Sequence, residues 1–167
     1  MAEALDFLLD ERAAAEIGAL RGRLASAGHP VVSDAPSIRF ASAASIPHRV
    51  RAELALELRR LVLPEVWLAV LGTVLTDEPR LVLAAVADAE LLAAHTGVHD
   101  ALAGRVRHPS ANHLPGSWLP HCPLTGRIAE TELPAAIAAA TPVRPIRAKV
   151  VAIVLTDTLG GGHSPLT

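Results

Sequence analysis

The stretch on which the fold turns is "SWLPHCPLTGR", Ser117 to Arg127. It holds Cys122, the one cysteine of the chain, and His121, one of eight histidines. It reads as a short strand with Pro123 in its middle. Side chains alternate across a strand. His121, Pro123 and Thr125 therefore share one face, and Cys122 and Leu124 share the other. The apolar pair belongs in a core, which leaves His121 facing outward. Pro123 removes a ladder donor and makes its end of that face apolar. A second stretch, "PSIRFA" at Pro36 to Ala41, lines up with "PHCPLT" at Pro120 to Thr125. There Ser37, Arg39 and Ala41 share a face, while Ile38 and Phe40 point to the core.

Working outward, each of these strands sits in a similar run of elements. In the first half Asp10 caps a helix over 11–28 that Gly28 ends. A strand over 37–42 follows, then a helix that Pro47 starts and Pro64 ends, then the strand "EVWLAVLGTVL". In the second half "RLVLAAVA" is a strand, Asp88 caps a helix that ends near Gly104, and "RHPSANHLPGS" is loop. The strand over 118–125, a helix over 129–140 and the strand "IRAKVVAIVLTDT" complete it. Each half thus reads strand–helix–strand–helix–strand. The expected fold is α+β: one bilobal, pseudo-two-fold domain over 1–160, with halves of about 1–77 and 78–160 around a central cleft. Both key strands are expected to be central, facing that cleft, and 161–167 is read as a flexible tail.

Composition narrows the function. The 167 residues are 51% hydrophobic but include only two Trp, two Phe and no Tyr. The core must be built from Ala, Leu and Val, and rings for base stacking are scarce. Net charge is −2 and Lys149 is the one lysine, so no broad cationic surface for nucleic acid is expected. One cysteine rules out an internal disulfide and a cysteine-cluster metal site. "MAEALDFLLDER" has no basic start followed by a long apolar run, and no apolar run approaches a membrane span. A cytoplasmic protein without a membrane role is the expectation.

"LPGSWLPHCPLTGRI", the order of the elements and the closing strand "KVVAIVLTDT" together resemble the two-histidine (2H) phosphoesterase superfamily, in its bacterial 2′-5′ RNA ligase-like branch. The resemblance covers most of the chain. It implies two lobes whose His-x-Thr/Ser motifs face each other across a cleft, without metal or cofactor. One imidazole takes a proton and the other gives one, as suits a group that titrates near neutral pH. The resemblance places His121 on the second-motif histidine. Pro123 stands where the second hydroxyl belongs, Ser37 where the first histidine belongs, and Arg39 where the first hydroxyl belongs. Loss of one acid–base partner costs about 10²–10⁴ in rate, so ordinary phosphodiester chemistry is not expected here.

The candidate site is therefore His121 as catalytic acid or base, with Arg39, Ser37, Thr125 and His113 as substrate-binding residues. Arg39 either grips an anion or pairs with a nearby carboxylate. His113 lies in the loop before Trp118, where it overhangs the cleft or faces solvent. Ser37 would act as a nucleophile only with His121 as its base. His95 and His99 stand four apart on one helix, a spacing that can bind metal, but no acidic third ligand accompanies them. "LGGGHSPLT" opens no helix and carries no Lys, so it is no phosphate loop. The leading expectation is an enzyme acting on an anionic small molecule with apolar bulk, by an isomerisation, cyclisation or elimination that needs one proton transfer. A residual cyclic phosphodiesterase or RNA ligase-like enzyme, and a non-catalytic ligand-binding protein, are the alternatives.

Overall fold

The computed structural model describes residues 2–74, 79–159 and 162–166. The expected boundary between halves, at 77/78, and the "LTDE" stretch around it lie outside the described residues. The strands are β1 (Glu3–Leu9), β2 (Ser37–Ser45), β3 (Glu65–Val74), β4 (Arg80–Ala85), β5 (Arg107–Pro109), β6 (His121–Pro123), β7 (Ile146–Asp157) and β8 (His163–Pro165). The helices are α1 (Glu11–Ser26), α2 (His48–Leu58), α3 (Ala89–Leu102) and α4 (Leu133–Ala140). Asp10 and Asp88 cap α1 and α3 as the sequence indicates, accepting from the N–H groups of Ala13 and Leu91. Gly28 follows α1 at φ 86°, a conformation open to glycine at little cost.

The eight-stranded sheet runs β5-β2-β1-β7-β3-β4-β6, with β8 added to β7. Every pairing between these strands is antiparallel. β7 is long enough to serve both lobes: its start pairs with β3, and its remaining length pairs with β1. Exchanging β1 with β4, β2 with β6 and β7 with β3 turns the order β2-β1-β7-β3-β4-β6 into itself read backwards. That is the pseudo-two-fold expected from the repeated element order.

Three expectations need correction. β6 is the last strand of the hydrogen-bonded order, and β2 has only the three-residue β5 outside it. The middle belongs to β7 and β3, which pair with each other and join the two lobes. The sheet nonetheless brings β2 against β6. Trp118 donates its indole N–H to the Arg39 carbonyl at 2.9 Å. Arg21 on α1 donates to the carbonyls of Asp34 and Pro123, at 2.6 and 2.8 Å. The second correction is the tail: residues 163–165 form β8, and Thr156 Oγ1 lies 3.0 Å from His163 Nδ1. The third is the loop over 107–117, whose start pairs with β2 as β5 and whose middle, 111–113, is a turn of 3₁₀ helix.

The core lies between the sheet and the helices. Phe7 and Phe40 stack with ring centroids 3.6 Å apart, both fully buried. Phe40 also meets Trp118, and Trp118 stacks on His95 at 3.9 Å. With so few aromatics, nearly all of them are spent in this one cluster, which fixes β2 and the segment leading into β6.

Candidate functional site

A bulge in β2 decides which side chains look into the cleft. Asp6 pairs with Arg39, but Leu5 pairs with Ala41, so Phe40 is the extra residue. Past a bulge the alternation shifts by one residue. Ser37, Arg39 and Ser42 therefore share a face, and Ala41 turns into the core, where it is 3% exposed. Simple alternation places Ala41 beside Arg39 and misses Ser42.

Arg39 is held by Asp6, with Nε 2.8 Å from Oδ1 and Nη2 3.0 Å from Oδ2. This is the two-pronged geometry that arginine makes with a carboxylate. Asp6 is 3% exposed and sits in the apolar run of β1. Burial opposes the charge of Arg39, but the hydrogen bonds and charge of Asp6 outweigh it and hold the guanidinium above its ordinary pKa. The expected free anion grip is thus corrected to a neutralised pair. Nη1 has no hydrogen-bond partner among the described residues and remains as a neutral-pair donor.

His121 is half-buried at the start of β6. Its Nδ1 lies 2.8 Å from the Leu119 carbonyl. A carbonyl only accepts, so Nδ1 carries the proton and Nε2 of the neutral ring holds a lone pair. Burial lowers its pKa, the Leu119 hydrogen bond opposes that, and Arg39 and Arg80 lower it further; the net shift is downward.

The 3₁₀ turn carries His113 to the same place. Its Nδ1 is 3.0 Å from Ser42 Oγ, and its carbonyl accepts from His95 Nε2 at 2.8 Å. Burial, with Arg39 and His121 nearby, pushes its pKa down to about 4. His113 and His121 are therefore both neutral near pH 7, each close enough to Arg39 for its charge to lower the pKa further.

Thr125 is not in the cleft. It is fully buried, and its hydroxyl accepts the Leu81 N–H at 2.9 Å. The strand stops at Pro123, and the chain turns to meet the segment before β2 through a Val31–Thr125 bridge. That turn breaks the alternation on which the expectation relied. Ser37 stays half-buried on the cleft face, and no hydrogen bond joins it to His121 among the described residues, so a Ser–His nucleophile has no support. Cys122 is fully buried as expected, and burial pushes its thiol pKa up, away from nucleophilic character. His95 is 1% exposed and committed to His113, and no metal-binding cluster occurs among the described residues.

Three contributors escape a reading of the sequence: Asp6, Ser42 and Arg21. His95 joins them in its actual role, as a support for His113 rather than a metal ligand. Asp6 alone leaves a signal, as a carboxylate inside the apolar run "ALDFLL".

No protein-family model matches the sequence, and no curated protein matches it. Solved structures do share its architecture. TT0787 of Thermus thermophilus is 20% identical, with a TM-score of 0.62 over 100% of this chain and 96% of that one. E. coli LigT in its apo form is 16% identical, with a TM-score of 0.64 over 99% and 94%. E. coli LigT complexed with 3′-AMP is 15% identical, with a TM-score of 0.61 over 99% and 94%. The chain has the two-lobed α+β fold of the LigT-type 2H phosphoesterases. At these identities the likeness concerns the fold. No helix among the described residues is long and apolar enough to cross a membrane.

Proposed function

We propose that the cleft between the lobes binds a small molecule and that His121 performs a single proton transfer on it. The observation that carries this reading is the fixed tautomer of His121: Nδ1–H is tied to the Leu119 carbonyl. The free Nε2 is then a neutral base on the cleft face, with a pKa below the ordinary histidine value. A base of this kind needs no prior deprotonation near pH 7. Across the cleft Arg39 offers one remaining N–H edge backed by Asp6. Such a pair suits an oxygen with partial negative charge, or one that gains charge during reaction, better than a preformed dianion. Pro123 and Leu119 flank His121 and favour apolar bulk in the ligand. The proposed reaction class is isomerisation, cyclisation or elimination, without metal or cofactor.

Thermal-shift screening of small carboxylates, phosphates and carbonyl compounds would find a ligand. With a substrate in hand, His121→Gln should lower kcat by about 10²–10⁴ with little change in KM. Arg39→Lys should mainly raise KM, because a point charge lacks the planar fork. Full turnover by His121→Gln would refute the reading.

A second reading has one observation in its favour, the fold shared with LigT, which has been seen complexed with 3′-AMP. It is a residual cyclic phosphodiesterase. The motif positions argue against it, since Ser37, Arg39 and Pro123 replace one histidine and both hydroxyls. Assay of 2′,3′-cyclic nucleotides should show little turnover by the natural protein. The same assay of a Ser37→His, Arg39→Thr, Pro123→Thr variant measures what those positions withhold. Robust turnover by the natural protein would favour this second reading.

A further inference from the structure

A cavity of about 260 Å³ lies beside the cleft, at the outer edge of β2. Its walls include Ala43 of β2, Leu102 and Ala103 at the end of α3, and Val106, Pro109 and Leu114. None of its lining residues is Asp, Glu, Lys or Arg. The polar side chains among them, Ser42 and His99, are already engaged: Ser42 Oγ with His113 Nδ1, and His99 Nε2 with the Phe40 carbonyl. Water in such a space finds few partners, and an apolar group that displaces it gains free energy.

The space is built from short side chains. Gly104 lines it at φ 69°, a conformation that side chains rarely adopt, and a Cβ there would meet no atom within 4 Å. The backbone itself thus favours leaving that wall bare. Size limits the occupant. A cavity of roughly 150 Å³ holds benzene, whereas whole drug-sized ligands occupy about 300–1,000 Å³. The cavity fits a ring or a short branched chain rather than an entire nucleotide.

Ser42 stands at the border of the two spaces. It is among the residues lining the cavity, beside the core-facing Ala41 and Ala43, while its side chain lies on the Arg39 face of β2 and its hydroxyl meets His113. We propose that this cavity receives an uncharged, compact apolar group of the ligand, whose polar end passes Ser42 into the cleft. The proposal rests on the small-molecule reading of the cleft and adds the substrate class: a polar head joined to a compact hydrocarbon group.

The test uses the full chain and cyclohexanol as the probe, followed by methyl ¹H–¹³C NMR. Saturable shifts should appear at the methyls of Leu102, Val106 and Leu114, and in the aromatic ¹H–¹³C spectrum at the His113 ring. Ala103→Phe, at an exposed position on the rim, should abolish them; Val106→Phe serves as a second block. His121→Gln should leave probe binding unchanged. Absence of saturable shifts, or shifts undiminished in both blocked variants, would overturn the proposal. If His121→Gln abolishes turnover while cyclohexanol leaves these methyls unmoved, the cavity proposal fails alone. If cyclohexanol binds and His121→Gln keeps full turnover, the acid–base reading is the one that fails.

Discussion

The two lobes put different chemistry at matching places. In the first lobe Asp6 of β1 is in register with Arg39 of β2. In the second, Val82 of β4 is in register with Pro123 of β6. Under the exchange that maps the sheet onto itself, these pairs correspond. One is a carboxylate gripping a guanidinium, the other two apolar side chains. One step earlier on the same strands, Ser37 corresponds to His121, opposite Leu8 and Ala84. A symmetric pair of lobes therefore frames an asymmetric cleft, with the ionic contact on one wall and the His121 imidazole on the other. The scaffold depends on apolar packing, which both pairs tolerate. The chemistry depends on single side chains, which can differ without moving a strand.

The strongest way to break this contrast is to make the first lobe resemble the second. Asp6→Ala leaves Arg39 without its carboxylate. Removing one partner of a buried pair costs about 3–5 kcal/mol. With the Arg39 side chain 38% exposed, a smaller loss of about 2–4 kcal/mol is expected here. Asp6→Leu combined with Arg39→Met should recover most of it. Urea unfolding measures both, and a double variant as unstable as the single would show that the pair is not the cause.

Thr125 sharpens the comparison from the other wall. Thr125→Val strands the buried Leu81 N–H, at a cost of about 1–3 kcal/mol. It should leave ligand affinity unchanged, since the hydroxyl faces the core. A stable Thr125→Val protein with altered ligand binding would return Thr125 to the cleft. Trp118→Phe removes the one indole hydrogen bond between the segment before β6 and β2, with an expected loss of about 1 kcal/mol by the same unfolding assay.

The remaining effect is a pH slope. His113 has a folded pKa of about 4 against an ordinary value of 6.5. As pH falls below 6.5 the unfolded chain takes up a proton that the folded chain refuses. The stability that neutral His113 contributes is thus full above about 6.5, declines between 6.5 and 4, and is gone below. His121 and His95 shift in the same direction. Unfolding free energies measured from pH 7.5 to 5 should fall, and less steeply in His113→Gln. An equal slope in that variant would show that His113 titrates normally.

Much of the frame was legible from local signals. Asp10 and Asp88 announced their helices, and Cys122 and Leu124 pointed inward as alternation required. The repeated order of elements, with the "WLPHCP" stretch, led to the correct fold. Strand ends were less readable: the expected strand over 118–125 shrinks to residues 121–123, because Pro123 cannot extend the ladder and the chain then turns toward Val31. The tail reads as mobile because chain ends commonly are, yet Leu166 finds a buried place and its N–H bonds the Ile153 carbonyl.

The set of elements and the place of His121 on an outward strand face can be read along the chain. Both follow from interactions within a few residues: caps, alternation, and proline and glycine stops. Only the tertiary structure decided which partners those residues meet. Asp6 and Arg39 are 33 positions apart, and Ser42 and His113 are 71 apart. The Phe40 bulge, which exists only because β2 must register with β1, chose Ser42 over Ala41 for the cleft. Pairing, bulges and buried charge are properties of two strands at once, and no local pattern in either strand carries them.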